Sequence, residues 1–161
     1  GSENVAIGRN AMEKNVSGAN NSAVGVRALG CNTTGSSNSA VGFESLCANT
    51  TAANNTAVGI CSLKANTTGA GNTAVGKGAL DSNTTGSTSV AVGCDALCAN
   101  TTANNNIAVG CGALKSNTTA TTNTAVGHLA LCTNITGAGL TSVGYNALRK
   151  NTGSDLSLIH I

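Results

Sequence analysis

Seven cysteines and two histidines are the side chains of this 161-residue chain that could form disulfides or bind a metal. An odd number of cysteines at differing spacings is not typical of a disulfide framework. Zinc needs about four convergent ligands, and Cys94, Cys98, Cys111 and His128 come nearest to such a set, with Cys61 further away. The acidic residues are scattered, so no carboxylate pair is placed for acid–base catalysis. We therefore expect no enzyme activity, no metal site and no cofactor. The cysteines are Cys31, Cys47, Cys61, Cys94, Cys98, Cys111 and Cys132.

These side chains lie on a strict repeat of 17 residues, of which Asn72 to Thr88 is a typical copy. Nine copies without insertion or deletion predict a repeat architecture. The central glycine of each copy is Gly8, Gly25, Gly42, Gly59, Gly76, Gly93, Gly110, Gly127 or Gly144.

Three further columns of the repeat are nearly invariant. Valine precedes the central glycine, and Ile7 takes that position in the first copy. Leucine follows the glycine by four positions and asparagine by seven. We predict a core ladder of valines (Val24, Val41, Val58, Val75, Val92, Val109, Val126) and leucines (Leu29, Leu46, Leu63, Leu80, Leu97, Leu114, Leu131), and a turn ladder of asparagines (Asn32, Asn49, Asn66, Asn83, Asn100, Asn117, Asn134).

The segments around T-A-V and A-L are too short for stable helices, and glycine and asparagine bound them. Two short strands per repeat fit better, and stacking one repeat per coil gives an all-β parallel β-solenoid. Nine coils about 4.8 Å apart make a rod roughly 43 Å long. If valine and leucine face inward, the alternating alanines face outward. A neighbouring chain is then expected to cover the alanines, because a thin rod without aromatic residues is marginal alone.

Stacking also places variable residues beside one another. Lys64 and Asp81 are expected to form a surface pair. Cys94 and Cys111 share a column in adjacent coils, and that spacing lies within the Cα range of a disulfide, though not necessarily its dihedral angle. We expect free thiols, with a Cys94–Cys111 disulfide as the alternative.

The units N-T-A-V-G-x-x-A-L-x-x-N-T-T-G resemble the head repeats of trimeric autotransporter adhesins and, more closely, the arrays of phage tail-fibre-like proteins. The resemblance covers residues 2–155. It implies left-handed parallel β-rolls packed side by side as a homotrimer on a cell or virion surface. The adhesin repeat is shorter, so a longer turn is expected here. The resemblance carries over no catalytic residues.

The N-T-T sequences form glycosylation sequons in nearly every repeat. Glycans at this spacing would collide, so we interpret them as turn ladders whose asparagines hydrogen-bond along the axis. The threonine columns raise an alternative function, because regular threonine arrays are found on ice-binding solenoids. Such faces usually present T-x-T, whereas adjacent threonines in a strand point to opposite sides.

The remaining features bound the function. A net charge of +2 and the lack of a long apolar run favour neither nucleic acid nor membrane insertion. Residues 1–155 are expected to be part of a longer array, and 156–161 a non-native tail, because that hexapeptide resembles a translated sequencing adapter on a metagenomic fragment. The sequence thus predicts a structural segment of an extracellular fibre or adhesin, a spacer or head that contacts a host receptor or glycan.

Overall fold

A computed structural model of the chain describes residues 1–151 and 153–159. The described part is an all-β parallel solenoid of about nine turns, and it contains no helix. Each turn of the solenoid contributes one strand of three residues. The strands are β1 (Val5–Ile7), β2 (Ser22–Val24), β3 (Ser39–Val41), β4 (Thr56–Val58), β5 (Thr73–Val75), β6 (Val90–Val92), β7 (Ile107–Val109), β8 (Thr124–Val126), β9 (Thr141–Val143) and β10 (Ser157–Ile159).

The ten strands form one parallel sheet in chain order. Like pairs with like: Ala57 aligns with Ala74 and Val58 with Val75, so the predicted stacking is confirmed. The tail expected to be non-native, 156–161, contributes β10, in which Ser157 pairs with Thr141. That offset is one residue shorter than in the other strand pairs. The last two residues of the tail lie outside the described residues.

The predicted valine ladder is not the core. Val41, Val58 and Val75 are 41%, 38% and 36% exposed, whereas the alanine before each of them is fully buried. Alternation along the strand places alanine inside and valine outside. The interior of a 17-residue coil is narrow and is already filled by leucine, so only a small side chain fits at the inward strand position. The prediction of a valine core is therefore wrong for all seven residues, which are half-buried or exposed: Val24, Val41, Val58, Val75, Val92, Val109 and Val126.

The leucine ladder is fully buried, as predicted, but the A-L segment is a turn and not a strand. Ala79 and Leu80 are adjacent and both buried, which a flat strand does not allow. Leu80 adopts a left-handed conformation with φ of 52°, and Gly78 does the same with φ of 65°. These two left-handed residues curl the chain so that both side chains enter the core. The same pattern recurs with a non-glycine residue in the place of Gly78, as at Arg27.

Two asparagine ladders line the polar part of the interior. The first is the predicted one, Asn32 to Asn134, and it is fully buried. Within it, the Asn66 Nδ2 donates to Asn49 Oδ1 at 3.1 Å and to the Gly69 carbonyl at 2.9 Å. The predicted hydrogen bonding along the axis is therefore confirmed.

The second ladder precedes the strands and was not predicted. The Asn72 backbone N–H donates to Asn55 Oδ1 at 2.9 Å, and Asn72 Nδ2 donates to the Gly86 carbonyl at 2.8 Å. Both ladders therefore satisfy backbone groups of the turns. Among the described residues, only Asn146 Oδ1 is a buried side-chain polar atom without a hydrogen-bond partner. The second ladder comprises Asn21, Asn38, Asn55, Asn72, Asn106 and Asn123.

The central glycine follows each strand because no other residue fits there. Gly76 has φ of 135°, outside the usual range of side-chain-bearing residues. A Cβ atom on Gly76 would lie 2.5 Å from the Gly93 carbonyl oxygen of the next coil. This glycine therefore sets how closely the coils approach at the corner after the strand.

Candidate functional site

The outward side of the strands forms a flat surface that carries no charge, which we call the outer sheet face. Its two columns are the first and last residues of β1 to β9. Because the strands align in register, these columns run the length of the rod. The surface combines valine and isoleucine with serine and threonine. It consists of Val5, Ile7, Ser22, Val24, Ser39, Val41, Thr56, Val58, Thr73, Val75, Val90, Val92, Ile107, Val109, Thr124, Val126, Thr141 and Val143.

The two threonines of each N-T-T sequence have different roles. The first is half-buried, and from Thr33 to Thr101 its hydroxyl donates to the backbone of the next coil, as when Thr67 Oγ1 donates to the Thr84 carbonyl at 3.0 Å. The second is exposed in seven consecutive coils. We call this second set the outer threonine column: Thr34, Thr51, Thr68, Thr85, Thr102, Thr119 and Thr136.

The N-T-T sequons are not accessible in the folded chain. The asparagine of each sequon from Asn32 to Asn134 belongs to the first ladder and is fully buried. Its amide nitrogen, which a glycan would modify, already donates two hydrogen bonds, as at Asn83. The interpretation of these sequences as turn ladders fits this geometry.

A further column is formed by the residue that directly follows each central glycine. In four consecutive coils this residue is Cys94, Cys111, His128 or Tyr145, and all four are exposed. The rings of His128 and Tyr145 stack with centroids 5.5 Å apart and planes 7° from parallel. Burial raises the pKa of the Cys94 thiol, and the neighbouring Asp95 and Cys111 raise it further.

Charged residues form two small networks at the turn after this column. Glu44 is 8% exposed and pairs with Arg27 at 2.6 Å and with Lys64 at 2.9 Å. The hydrogen bond from Lys64, opposed by burial, holds the pKa of the Glu44 carboxyl below its usual value. Asp95 pairs with Lys115 at 3.0 Å. The salt bridge of Lys64 is thus with Glu44. Lys64 also lies near Asp81, as predicted, and its charge acts to lower the pKa of the Asp81 carboxyl, but the two are not among the salt bridges of the described residues.

An open groove of about 470 Å3 runs beside the Glu44 network. Cys31, Cys47, Lys64 and Asp81 contribute to its walls. Burial raises the pKa of the Asp81 carboxyl and of the Cys47 thiol. Two cations, Arg27 and Lys64, and one carboxylate, Asp81, belong to the lining, and both cations form salt bridges with Glu44.

The residues considered for a zinc site do not converge. In the part of the chain that the structure describes, no three His, Cys, Asp or Glu side chains are grouped to hold a metal ion. All seven cysteines are free thiols, including Cys94 and Cys111. Cys98 and Cys61 lie in other columns, so neither can complete a metal site with Cys111 and His128.

No helix among the described residues is long and apolar enough to cross a membrane. Comparison of the chain with protein-family models, with curated proteins and with solved structures gave no match. The function is therefore inferred from the geometry of the solenoid and from the motifs of its repeat.

Proposed function

We propose that this chain is a structural segment of an extracellular fibre or surface adhesin, acting as a rigid spacer or head. The observation that carries the proposal is the continuity of the interior: the leucine ladder from Leu29 to Leu131 and the first asparagine ladder from Asn32 to Asn134 pass through successive coils without a gap. Such a stack resists bending, because every coil is hydrogen-bonded to the next. The resemblance of the repeat supports a phage tail fibre or a bacterial trimeric adhesin as the protein to which the segment belongs.

The proposal includes a homotrimer of left-handed β-rolls packed side by side, as the resemblance implies. The alanines cannot supply the contact between copies, because they are buried within one chain. We assign the contact to the outer sheet face, where Val41, Val58 and Val75 are 36–41% exposed. An uncharged surface with a continuous column of outward-facing valines is typical of an interaction site.

Sedimentation equilibrium of the purified chain tests the assembly. The expected mass is three times 15.5 kDa. The double variant V75K/V92K, which adds charge to the outer sheet face, is expected to sediment as a monomer. The matched control T85K/T102K adds the same charge to the outer threonine column of the same two coils and should remain trimeric. A monomeric parent chain would refute the proposed assembly.

Contact with a host receptor or glycan is the second element of the proposal. The column formed by the residue directly after each central glycine also contains Phe43 and Ile60. Together with Tyr145, they supply exposed apolar and aromatic side chains for such contact. A glycan array and a cell-binding assay with the purified chain test it. Binding that is lost in Tyr145→Ser supports the head role, and no binding at all leaves only the spacer role.

Ice binding is the second candidate function, and the outer threonine column favours it. Seven exposed threonines repeat at the coil spacing of about 4.8 Å. The neighbouring threonine column donates its hydroxyls to the backbone, so a single column faces solvent. Thermal hysteresis of the purified chain tests this function: activity that falls in T85K/T102K supports it, and zero activity rejects it.

A further inference from the structure

Cys94 and Cys111 are held at a fixed separation by the backbone of adjacent coils. The Gly110 N–H donates to the Val92 carbonyl at 2.7 Å, and the Gly112 N–H donates to the Cys94 carbonyl at 2.9 Å. These bonds bracket the two cysteines and align them in register. Residues aligned in this way lie about 4.8 Å apart.

The side chains of this column also stack. His128 and Tyr145 occupy the same column in the next two coils, and their rings are parallel to within 7° at 5.5 Å. Both cysteines are exposed and free. The two thiols are in hydrogen-bond contact with each other, so their sulfur atoms project side by side from the rod.

We propose that Cys94 and Cys111 form a two-thiolate site for a soft monovalent metal cation of the copper(I) class. Thiolates select soft cations. If each metal–sulfur bond has about the length of a zinc–thiolate bond, roughly 2.3 Å, two such bonds in line span about 4.6 Å. Rotation about the Cα–Cβ bonds can bring sulfur atoms to that separation in coils whose backbones lie about 4.8 Å apart. A disulfide requires Cβ atoms only about 3.8 Å apart, so the coils would have to approach. The metal bridge requires no movement of the backbone.

The site has two ligands and therefore does not suit zinc, which takes four. Binding of the cation replaces the two thiol protons, which pass to solvent, and leaves a bis-thiolate complex with one negative charge. No electron is transferred. Lys77 lies one coil earlier in the same column, so its positive charge is close to the anionic complex. In the free thiol, desolvation, Asp95 and Cys111 raise the pKa of Cys94, and Lys77 opposes this only in part. Because protons are released, binding strengthens as the pH rises.

Calorimetric titration with silver(I) nitrate in chloride-free buffer, without oxygen, tests the site, because silver(I) is a soft monovalent cation without redox chemistry here. The full chain with Cys31, Cys47, Cys61, Cys98 and Cys132 replaced by serine retains only the proposed pair. One cation per chain is expected. Adding C94S should weaken binding at least about 100-fold, because the second ligand then no longer acts at high effective concentration. Copper(I) should give the same stoichiometry.

A matched control keeps two thiols in the same column but two coils apart: C111S combined with H128C, on the same serine background. Circular dichroism verifies that each variant folds. Tight binding of one cation by the proposed pair and weak binding by the control supports the site. Any of four results overturns the proposed site. They are equal affinity of the proposed pair and the control, binding of two cations per chain, no uptake of silver(I), and recovery of a Cys94–Cys111 disulfide after exposure to the metal.

Discussion

Replacement of Asn83 by alanine tests whether the first asparagine ladder stabilises the solenoid. Asn83 is fully buried in the middle of the array. Its Nδ2 donates to Asn66 Oδ1 at 2.8 Å and to the Gly86 carbonyl at 2.9 Å. Its Oδ1 accepts from Asn100 Nδ2 at 2.8 Å. The substitution removes all three hydrogen bonds.

The three partners of Asn83 are not affected equally. The Gly86 carbonyl keeps the hydrogen bond from Asn72, and Asn100 Nδ2 keeps its bond to the Ala103 carbonyl. Asn66 Oδ1 loses the bond it accepts and stays buried. An orphaned buried acceptor costs about 1–3 kcal/mol and each of the other two bonds about 1 kcal/mol. The free energy of unfolding is therefore expected to fall by about 3–5 kcal/mol.

Urea denaturation followed by far-ultraviolet circular dichroism measures this loss. A matched control lies in the second ladder, where Ser89 already stands in the place of an asparagine. Asn72→Ser copies that natural replacement, keeps a hydroxyl acceptor and should cost less than Asn83→Ala. Thr85→Ala, an exposed position, should change stability by no more than about 0.5 kcal/mol. A loss below about 1 kcal/mol for Asn83→Ala would refute the ladder as a source of stability.

Three further outcomes follow from the same contacts. Asn83→Asp buries a carboxyl whose pKa is raised in the folded state. This variant should therefore be destabilised most at neutral pH, and the loss of stability should shrink as the pH falls through the raised pKa. Urea midpoints measured across pH test this expectation. Gly76→Ala should prevent stable folding of its coil, because Gly76 has φ of 135°. Gly86→Ala should cost less, because Gly86 has no positive φ and Ala103 occupies the same column, although the added Cβ would clash with the Ala103 carbonyl oxygen unless the backbone shifts. Hydrogen exchange distinguishes the two variants. The Glu44 carboxylate has a lowered pKa in the folded state. It therefore stabilises the fold at a pH above its unfolded pKa, and this stabilisation is lost as the pH falls through the folded pKa. The variant Glu44→Gln should be less stable than the parent chain by up to about 1 kcal/mol at neutral pH and equally stable at low pH.

The period of the repeat was sufficient to predict the stacking. Equal spacing of Val75 and Val92 requires one coil per copy if the chain forms a solenoid, and the observed register follows from it. The burial of the leucines could also be predicted, because leucine is a large apolar side chain, and so could the hydrogen bonding of asparagines stacked in register. Constancy of a column alone does not predict burial, because the valine column is as constant and lies outside.

The direction of the strand could not be predicted from its residues. Alanine and valine alternate and are both apolar, so either could face inward. The choice depends on the space left by Leu80 and by the opposite turns, which is a property of the closed coil. Left-handed conformations at Arg27, Glu44 and Leu80 could not be predicted either, because such residues seldom adopt positive φ. Nor could the salt bridge of Lys64 with Glu44 be predicted, since it joins positions 20 residues apart rather than one column of adjacent coils.

The most direct test of the stacked solenoid is a pair of distances between spin labels on the outer threonine column. With the native cysteines replaced by serine, T51C/T119C places the labels four coils apart, and T34C/T136C places them six coils apart. Excess unlabelled chain restricts the measurement to one molecule. Stacking at about 4.8 Å per coil predicts backbone separations of about 19 Å and about 29 Å, in the ratio of two to three. Broad distributions, or separations that do not grow with the number of coils, would contradict the account.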